Sequence, residues 1–375
     1  MSVHAIPVNE PVITAEAKRY VQEALDTGWI SSAGPAIEKF EQAFARAIGV
    51  RHAMTVASGT AALHCALAAL EIGPGDEVIV PDFTMIASPF AVLYTGATPV
   101  FVDVEEETYN LDSTKIAAAV TSRTKAIMPV HLYGHSCDMD PILALAKDRG
   151  IAVLEDAAEA HGALYCGKPC GSLGTISAFS FYGNKIITTG EGGMVCTDDD
   201  ALAARVRSFK DLSHVPGHRF AHAELGFNYR MTNLQAALGL GQLEHLKEFV
   251  ETKQRMAAHY NSRLSSVRGL RLPVTKDYAF NVYWMYAILV EESFGMTRDQ
   301  LAEALKARGI DTRTFFLPCH SQPAIAKRFP TQVAFPVTER IAKQGLYLPS
   351  GLAITEEQIE TVCAALREIA QGARR

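Results

Sequence analysis

The amino-acid sequence predicts an α/β protein with a mostly parallel sheet, because short apolar runs alternate with helical stretches along its first half. The apolar runs are residues 78–80, 100–102, 126–130 and 151–154, and the helical stretches between them are residues 88–94, 113–120 and 141–149. Repeated strand and helix units of this kind place parallel strands in one sheet with helices on its faces. Ligands bind beyond the carboxyl ends of such strands, so we expect functional residues there.

The second half of the sequence predicts a smaller α/β domain. A helical stretch at residues 232–264, interrupted or bent, precedes an apolar run at 284–290 and helical stretches at 298–308 and 356–370. A chain of 375 residues is long enough for two domains. Because no flexible linker separates the halves, we expect a tightly packed boundary near residue 250, with a large domain at 1–250 and a small domain at 251–375.

Composition and charge exclude several classes of protein. The chain is 48% hydrophobic and 20% charged, as in ordinary globular proteins. Its net charge of -6 argues against a general affinity for nucleic acid or for anionic membranes. The N-terminal residues lack the pattern of a signal peptide, and no apolar run approaches the roughly 18 residues of a membrane helix. We therefore expect a cytoplasmic protein.

Neither the cysteines nor the isolated histidines predict a metal site. The seven cysteines show no paired CxxC spacing, which favours reduced thiols. Cys166 and Cys170 are the one close pair in the sequence, and no second pair of ligands follows them at a suitable spacing. His131 and His161 each follow an apolar run, but a single histidine is more often a hydrogen-bonded structural residue.

A lysine on a glycine-rich turn is the most informative feature of the sequence. The segment FSFYGNK ends at Lys185, and GEGG follows from residue 190. By itself, such a lysine is more typical of a solvated surface. An amine bonds covalently to an aldehyde cofactor only when it is deprotonated, which burial and cationic neighbours favour. Two upstream segments favour the interpretation that Lys185 binds an aldehyde cofactor over that of a surface lysine.

Asp156 directly follows the apolar run at 151–154, at the expected carboxyl end of a strand. An aspartate there can pair with a protonated ring nitrogen, which pyridoxal phosphate (PLP) requires if its ring is to act as an electron sink. The alternative is a carboxylate that caps a helix or lies in a loop.

Ser58, Gly59 and Thr60 lie between a short strand and a helical run at 61–70. Backbone N–H groups, hydroxyls and the positive end of a helix dipole together suit a phosphate. An ordinary helix N-cap has the same residues. The order of phosphate cradle, ring-nitrogen partner and lysine along the chain nevertheless predicts PLP as the cofactor.

With these motifs the chain resembles the DegT/DnrJ/EryC1/StrS sugar aminotransferases, which are fold-type I PLP enzymes. The likeness spans nearly the whole chain and includes GWISS from residue 28, GPGDEVIVP from 73, TKAIMPVHLYG from 124 and GFNYRMTN from 226. It implies a large domain with a mostly parallel seven-stranded sheet that has one antiparallel member, and a smaller C-terminal α/β domain. It also implies a homodimer with shared active sites.

Other segments narrow the implied substrate. CDMDP from residue 137, Glu159 where many relatives carry histidine, and NKIITTGEGG from 184 are most similar to members that act on GDP-4-keto-6-deoxymannose. Those members transfer an amino group from L-glutamate to the 4-keto carbon and form GDP-perosamine. A dTDP- or UDP-linked ketosugar, aminated at C3 or C4, is the alternative substrate.

The resemblance assigns catalytic roles to Lys185 and Asp156. It places the backbone N–H groups of Gly59 and Thr60 and the hydroxyl of Ser180 at the cofactor phosphate.

Three further residues are expected around the cofactor. Glu159 would lie near its ring, and Asn228 would reach in from the second subunit. Met85 occupies a position where relatives usually carry an aromatic residue against the ring. Strand alternation puts Phe83 on the same side, so either side chain could contact the ring.

Contacts with the sugar nucleotide are expected from Trp29, Arg219, Arg313 and His320. A guanidinium suits phosphate oxygens because it binds them bidentately. Surface or interface salt bridges are the alternative role for the two arginines.

Three rival functions are less well supported. A sugar dehydratase on the same scaffold would carry histidine in place of Lys185. A noncatalytic regulator would need a DNA-binding segment, and no basic helix-turn-helix pattern is evident. A dehydrogenase would need GxGxxG after the first strand, which is missing.

Overall fold

The structure is a computed structural model that describes residues 5–218, 220–329 and 333–373. The helices are α1 (Ala15–Asp26), α2 (Pro35–Ile48), α3 (Gly59–Ala69), α4 (Ala87–Tyr94), α5 (Ser113–Ala119), α6 (Met139–Arg149), α7 (Asp200–Lys210), α8 (Asn233–Leu243), α9 (Leu246–Leu264), α10 (Arg298–Lys306), α11 (Pro323–Ala326), α12 (Pro336–Gln344) and α13 (Glu356–Gly372). The strands are β1 (His52–Val56), β2 (Glu77–Pro81), β3 (Thr98–Val102), β4 (Thr124–Ile127), β5 (Ala152–Asp156), β6 (Leu164–Tyr165), β7 (Lys168–Pro169), β8 (Ile176–Ser180), β9 (Gly193–Thr197), β10 (Leu270–Arg271), β11 (Ala279–Phe280), β12 (Tyr286–Val290), β13 (Arg313–Thr314) and β14 (Gly345–Leu348).

A seven-stranded sheet in the order β1-β9-β8-β5-β4-β2-β3 forms the centre of the first half. Strand β9 runs antiparallel to both of its neighbours, and the other pairs are parallel. Every residue of β2, β8 and β9 is buried, because helices cover both faces of the sheet. The predicted mostly parallel sheet with one antiparallel member is confirmed.

An aromatic cluster holds β8 and the chain that follows it. The ring centroids of Phe40 and Phe44 in α2 are 5.2 and 5.4 Å from that of Phe181. The centroids of Phe44 and Phe179 are 5.0 Å apart. All four rings are fully buried. The strand that leads to Lys185 is therefore fixed against the core by large apolar side chains.

A second sheet, in the order β10-β12-β14-β13, lies in the C-terminal half. Its core includes the stacked rings of Tyr260 and Tyr286, whose centroids are 4.5 Å apart. The predicted interruption of the long helical stretch is found between α8 and α9. Residue 250 lies inside α9, and the division of the chain into domains at that point stays a prediction.

Two contacts join the halves in ways that the sequence pattern did not indicate. Ile6 forms a β-bridge with Ile310, so the N-terminal segment pairs with the C-terminal half. Strand β11 pairs with β6 in a small three-stranded sheet with β7. Strands of two residues are too short to give a periodic signal.

No helix in the described part of the chain has the length and apolar character needed to cross a membrane. The seven cysteines are all free thiols.

Candidate active site

A cavity of about 350 Å³ opens at the carboxyl ends of the parallel strands. It lies where β5 and β8 end, where α3 begins and where the loop after β2 passes. Seven residues predicted for the cofactor site line it: Gly59, Thr60, Met85, Asp156, Glu159, Ser180 and Lys185. The sequence motifs therefore converge on one cavity at the position expected for an α/β sheet.

The N-terminus of α3 forms one wall of the cavity. Ser58 caps the helix, and its Oγ accepts a hydrogen bond from the N–H of Ala61 at 3.1 Å. The first N–H groups of a helix have no partner within the helix and favour an anion. A Cβ added to Gly59 would lie 2.7 Å from the Cβ of Ser180 and 3.0 Å from its Oγ. The space beside Ser180 thus exists because residue 59 is glycine.

Asp156 ends β5 as a buried carboxylate that faces the cavity. The hydroxyl of Ser88 donates a hydrogen bond to its Oδ2 at 2.7 Å, and the N–H of Ala158 donates to its Oδ1 at 3.2 Å. Burial raises the pKa of Asp156, and these two hydrogen bonds oppose that effect. A carboxylate in this environment gains from a cationic partner in the cavity.

The amine of Lys185 lies beside a second carboxylate. Its Nζ is 3.8 Å from Oε1 of Glu159, and the lysine side chain is only 10% exposed. Burial lowers the pKa of Lys185, while the charges of Glu159 and Asp156 act in the opposite direction. Burial also raises the pKa of Glu159 to about 7. Burial of Lys185 therefore favours the deprotonated amine more than water does, although the two carboxylates partly offset this effect.

Glu159 is held by a hydrogen bond from a residue with a strained backbone conformation. Tyr133 has a φ of 55°, in the left-handed region, and its N–H donates to Oε2 of Glu159 at 2.7 Å. A non-glycine residue there costs about 1–3 kcal/mol, so the surrounding packing must maintain it. Tyr133 is buried, and its hydroxyl accepts a hydrogen bond from that of Tyr347 at 2.7 Å.

Met85, and not Phe83, lies at the cavity. Met85 is 49% exposed and lines the cavity, whereas Phe83 is fully buried against Phe315 and Tyr133. The thioether is therefore the group available to pack on a ring.

Most of the residues predicted to bind the sugar nucleotide lie outside the cavity lining of this chain. Trp29 is 52% exposed, and its carbonyl accepts a hydrogen bond from Asn233 at 2.6 Å. Arg313 forms an ion pair with Asp311 at 3.0 Å, which is the alternative role considered for it. Arg219 lies outside the described residues.

His320 is engaged with a buried carboxylate. The ring Nδ1 of His320 lies 2.6 Å from Oδ2 of Asp82, and the backbone N–H of His320 donates to Oδ1 of Asp82 at 2.8 Å. This pair links the loop after β2 to the C-terminal half.

Asn228 also lies outside the cavity of its own chain. It is exposed, and its side-chain oxygen accepts a hydrogen bond from Arg230 at 2.9 Å. Its expected contribution to the site of a second subunit stays a prediction.

Sequence reasoning missed several residues of the cavity. Trp284 is the most important, because its ring centroid lies 3.8 Å from Nζ of Lys185. Ser88 was noted only as the start of a helical stretch, yet it supports Asp156. The other missed lining residues include Tyr182, Asn184, Glu191 and Phe316. Tyr182, Asn184 and Glu191 lie in or beside the segment that contains Lys185, but their residue types do not indicate a function. Trp284, Ser88 and Phe316 belong to no recognisable sequence motif.

Comparison with known proteins agrees with this geometry. The model of the DegT/DnrJ/EryC1/StrS aminotransferase family matches residues 11–367. The chain belongs to this family. It is a PLP-dependent sugar aminotransferase, since the family uses PLP and the cavity holds the lysine and aspartate expected of it.

Relatives with assigned activities cover nearly the whole chain. GDP-perosamine synthase from Caulobacter vibrioides is 48% identical over 97% of this chain and 98% of the relative. GDP-perosamine synthase from Escherichia coli O157:H7 is 45% identical over the same shares of the two chains. The crystal structure of DesI in the presence of its TDP-sugar product matches with a TM-score of 0.91 and 35% identity, over 99% of this chain and 94% of DesI.

The glycine at position 59 can be tested directly. The Gly59→Ala variant is expected to bind PLP at least about tenfold more weakly, because the added methyl group crowds Ser180. Gly73→Ala is the matched control, since its Cβ would lie 3.9 Å from the nearest atom, the carbonyl oxygen of Thr95. Titration of the cofactor-free proteins with PLP, followed by absorbance, measures both affinities. Equal affinity for the Gly59→Ala and wild-type proteins would contradict the proposed cradle.

The effect of Glu159 on the lysine can be measured without the cofactor. Its negative charge raises the pKa of Lys185, so Glu159→Gln should lower that pKa further. At pH 7 the amine of Lys185 should then react with acetic anhydride at least about threefold faster than in the wild type. Mass spectrometry of the labelled peptides gives the rate. Glu191→Gln removes a charge from the cavity lining without this contact and should leave the rate unchanged; a slower reaction in Glu159→Gln would count against the pairing.

Proposed function

We propose that the protein transfers the amino group of L-glutamate to the 4-keto carbon of GDP-4-keto-6-deoxymannose and so forms GDP-perosamine. The main observation behind this proposal is that Lys185, Asp156 and the N-terminus of α3 line the same cavity. The names of the relatives at 45–48% identity support the choice of nucleotide sugar.

The residues of the cavity fit PLP. The α3 N-terminus, with its space beside Ser180, suits the phosphate, and the buried Asp156 suits a protonated ring nitrogen. Lys185 supplies the amine that would bind the aldehyde carbon. When bound, PLP stabilises the electron pair left at a carbon that loses its proton.

The proton transfers fall to Lys185. Its Nζ would take the proton from the α-carbon of glutamate, and later the proton at C4 of the sugar would be supplied by the same atom. Glu159 lies 3.8 Å from this nitrogen and would stabilise it while it carries the proton. Asp156 would keep the positive charge on the ring nitrogen in both halves of the reaction. Trp284 covers the amine and limits the access of water to it.

The charges of the cavity support a homodimer with shared active sites. Among the described residues that line the cavity, Lys185 is the one cation, beside Asp156, Glu159 and Glu191. The cofactor phosphate, the donor carboxylates and the diphosphate of the substrate are all anionic, so further cations must come from outside this lining. The loop before Asn228 carries Leu225, which is 91% exposed, and a second copy of the chain would cover it.

A TDP-linked ketosugar is the second candidate substrate. The relative DesI was solved with its TDP-sugar product and has the same fold over nearly the whole chain. The cofactor chemistry would be unchanged, and the contacts to the base would differ.

The role of Lys185 can be tested by chemical trapping. Borohydride reduction of the holoenzyme should attach the cofactor to the peptide that contains Lys185. Lys185→Ala should lower kcat by at least about 10²-fold, because the general base is lost. A label on another residue would rule out this assignment.

Shared active sites can be tested by complementation. Lys185→Ala and Asn228→Asp are each expected to be nearly inactive, the second because it would add a negative charge to a site that already holds several carboxylates and the anionic cofactor. After the two variants exchange subunits, each hybrid dimer would contain one intact site, and about a quarter of wild-type activity should return. Co-purification of differently tagged subunits is the control for exchange. Failure to recover activity in proven hybrids would mean that Asn228 does not serve the site of the partner.

The substrate can be identified with a panel of GDP-, dTDP- and UDP-linked 4-keto-6-deoxysugars. Mass spectrometry of the amino-sugar products, with glutamate and glutamine compared as donors, measures each activity. We expect the GDP-linked compound and glutamate to give the highest kcat/KM. Turnover of only dTDP- or UDP-linked compounds would refute the GDP assignment and favour the second candidate.

A further inference from the structure

A second buried lysine lies behind the site and is not explained by the chemistry above. Lys253 of α9 is 2% exposed, and its Nζ donates hydrogen bonds to the carbonyl oxygens of Trp284, at 2.8 Å, and Ser350. Burial lowers its pKa to about 7. Among the described residues its hydrogen-bond partners are neutral carbonyl groups, and burying an amine with such partners is costly. We therefore expect Lys253 to have a specific role.

Trp284 connects Lys253 to the cavity. Lys253 holds its backbone carbonyl, and its indole Nε1 donates to the carbonyl of Asn184 at 2.8 Å. The face of the same indole covers the Lys185 amine at 3.8 Å from the ring centroid. One side chain therefore contacts both the backbone before Lys185 and the end of the Lys185 side chain.

The N-terminal segment reaches the same carbonyl group. The side-chain nitrogen of Asn9 donates to the carbonyl of Asn184 at 3.3 Å. Its neighbour Val8 accepts a hydrogen bond from the N–H of Ser350 at 2.9 Å. The contacts thus form a closed ring that passes from Asn9 to Asn184, Trp284, Lys253 and Ser350 and returns through Val8.

The backbones in this ring approach each other closely. A Cβ added to Gly351 would lie 2.3 Å from the nitrogen of Glu10. The N-terminal segment is therefore seated directly on the chain that carries Ser350, which leaves little freedom for Asn9 to move.

We propose that Lys253 and Asn9 are positioning residues that hold the Lys185 turn and the Trp284 indole in place, so that the amine stays covered and aimed into the cavity. Lys253 acts through Trp284, and Asn9 acts through the carbonyl of Asn184. The proposal deepens the proposed function, because it rests on Lys185 being the cofactor lysine.

The test uses the full-length protein without cofactor, so it does not depend on turnover. Lys253→Met and Asn9→Ala each remove hydrogen bonds of the ring. Water should then reach the Lys185 amine, and the pH midpoint of its reaction with acetic anhydride should rise. The midpoint should rise by at least about 0.5 pH unit, while that of an exposed lysine such as Lys247 should stay unchanged. Hydrogen exchange in the peptide at residues 182–188 should become at least about fivefold faster.

Tyr286→Phe is the matched control. It removes a partly buried hydrogen bond between β12 and α9, from the Tyr286 hydroxyl to Oδ1 of Asn261 at 2.6 Å, which is not part of the ring of contacts. It should lower the melting temperature without changing the labelling or the exchange near Lys185. Asn9→Ala keeps the test decisive if Lys253→Met fails to fold, because Asn9 is only partly buried.

Two results would overturn the proposal. Folded Lys253→Met or Asn9→Ala protein with the wild-type labelling midpoint and wild-type exchange at 182–188 would show that the ring does not position the lysine. Equal changes in the Tyr286→Phe control would show a general loss of stability instead. Failure of the proposed function would appear separately, as borohydride labelling away from Lys185.

Discussion

The burial of the Lys185 amine beside Glu159 is the interaction on which the rest of the site depends. Removing an amine and a carboxylate from water costs several kcal/mol per ion, and their attraction repays this only in good geometry. Glu159 accepts a hydrogen bond from the N–H of Tyr133, whose backbone conformation is strained, and Trp284 covers the amine of Lys185. The surrounding packing therefore keeps the amine and the carboxylate buried, although each would be more stable in water by itself.

The two halves of the chain both contribute to this geometry. Asp82, in the loop after β2, accepts a hydrogen bond from the N–H of His320, and Asp103 accepts hydrogen bonds from the N–H groups of Val337 and Thr338 at the start of α12. Both carboxylates are buried, and both connect a loop beside the large sheet to the C-terminal half. The loop that carries Met85 is consequently set by residues more than 200 positions away in sequence.

Much of the fold and the centre of the site could be predicted from local pattern. The alternating apolar runs located β2, β3, β4 and β5 of the large sheet, but they did not give the bounds of β8 and β9. Lys185, Asp156 and Gly59 stood in segments whose residue types match their chemistry. Strand alternation predicted that Met85 and Phe83 lie on the same side, but β2 ends at Pro81 and both residues lie in the loop that follows, where Phe83 packs against Phe315. Trp284 and Ser88 were missed because their roles come from tertiary contacts. His320 was one of several candidates for contacts with the sugar nucleotide; in this chain its ring bonds to Asp82, and the expected contact stays a prediction.

The pairing of Val8 with Ser350 has a consequence for synthesis on the ribosome. Val8 is synthesised long before Ser350 and cannot pair with it until that residue has been made, and pairings so distant in sequence form slowly. Until then the ring of contacts around Trp284 stays open at this pairing, and the cavity lacks part of its support.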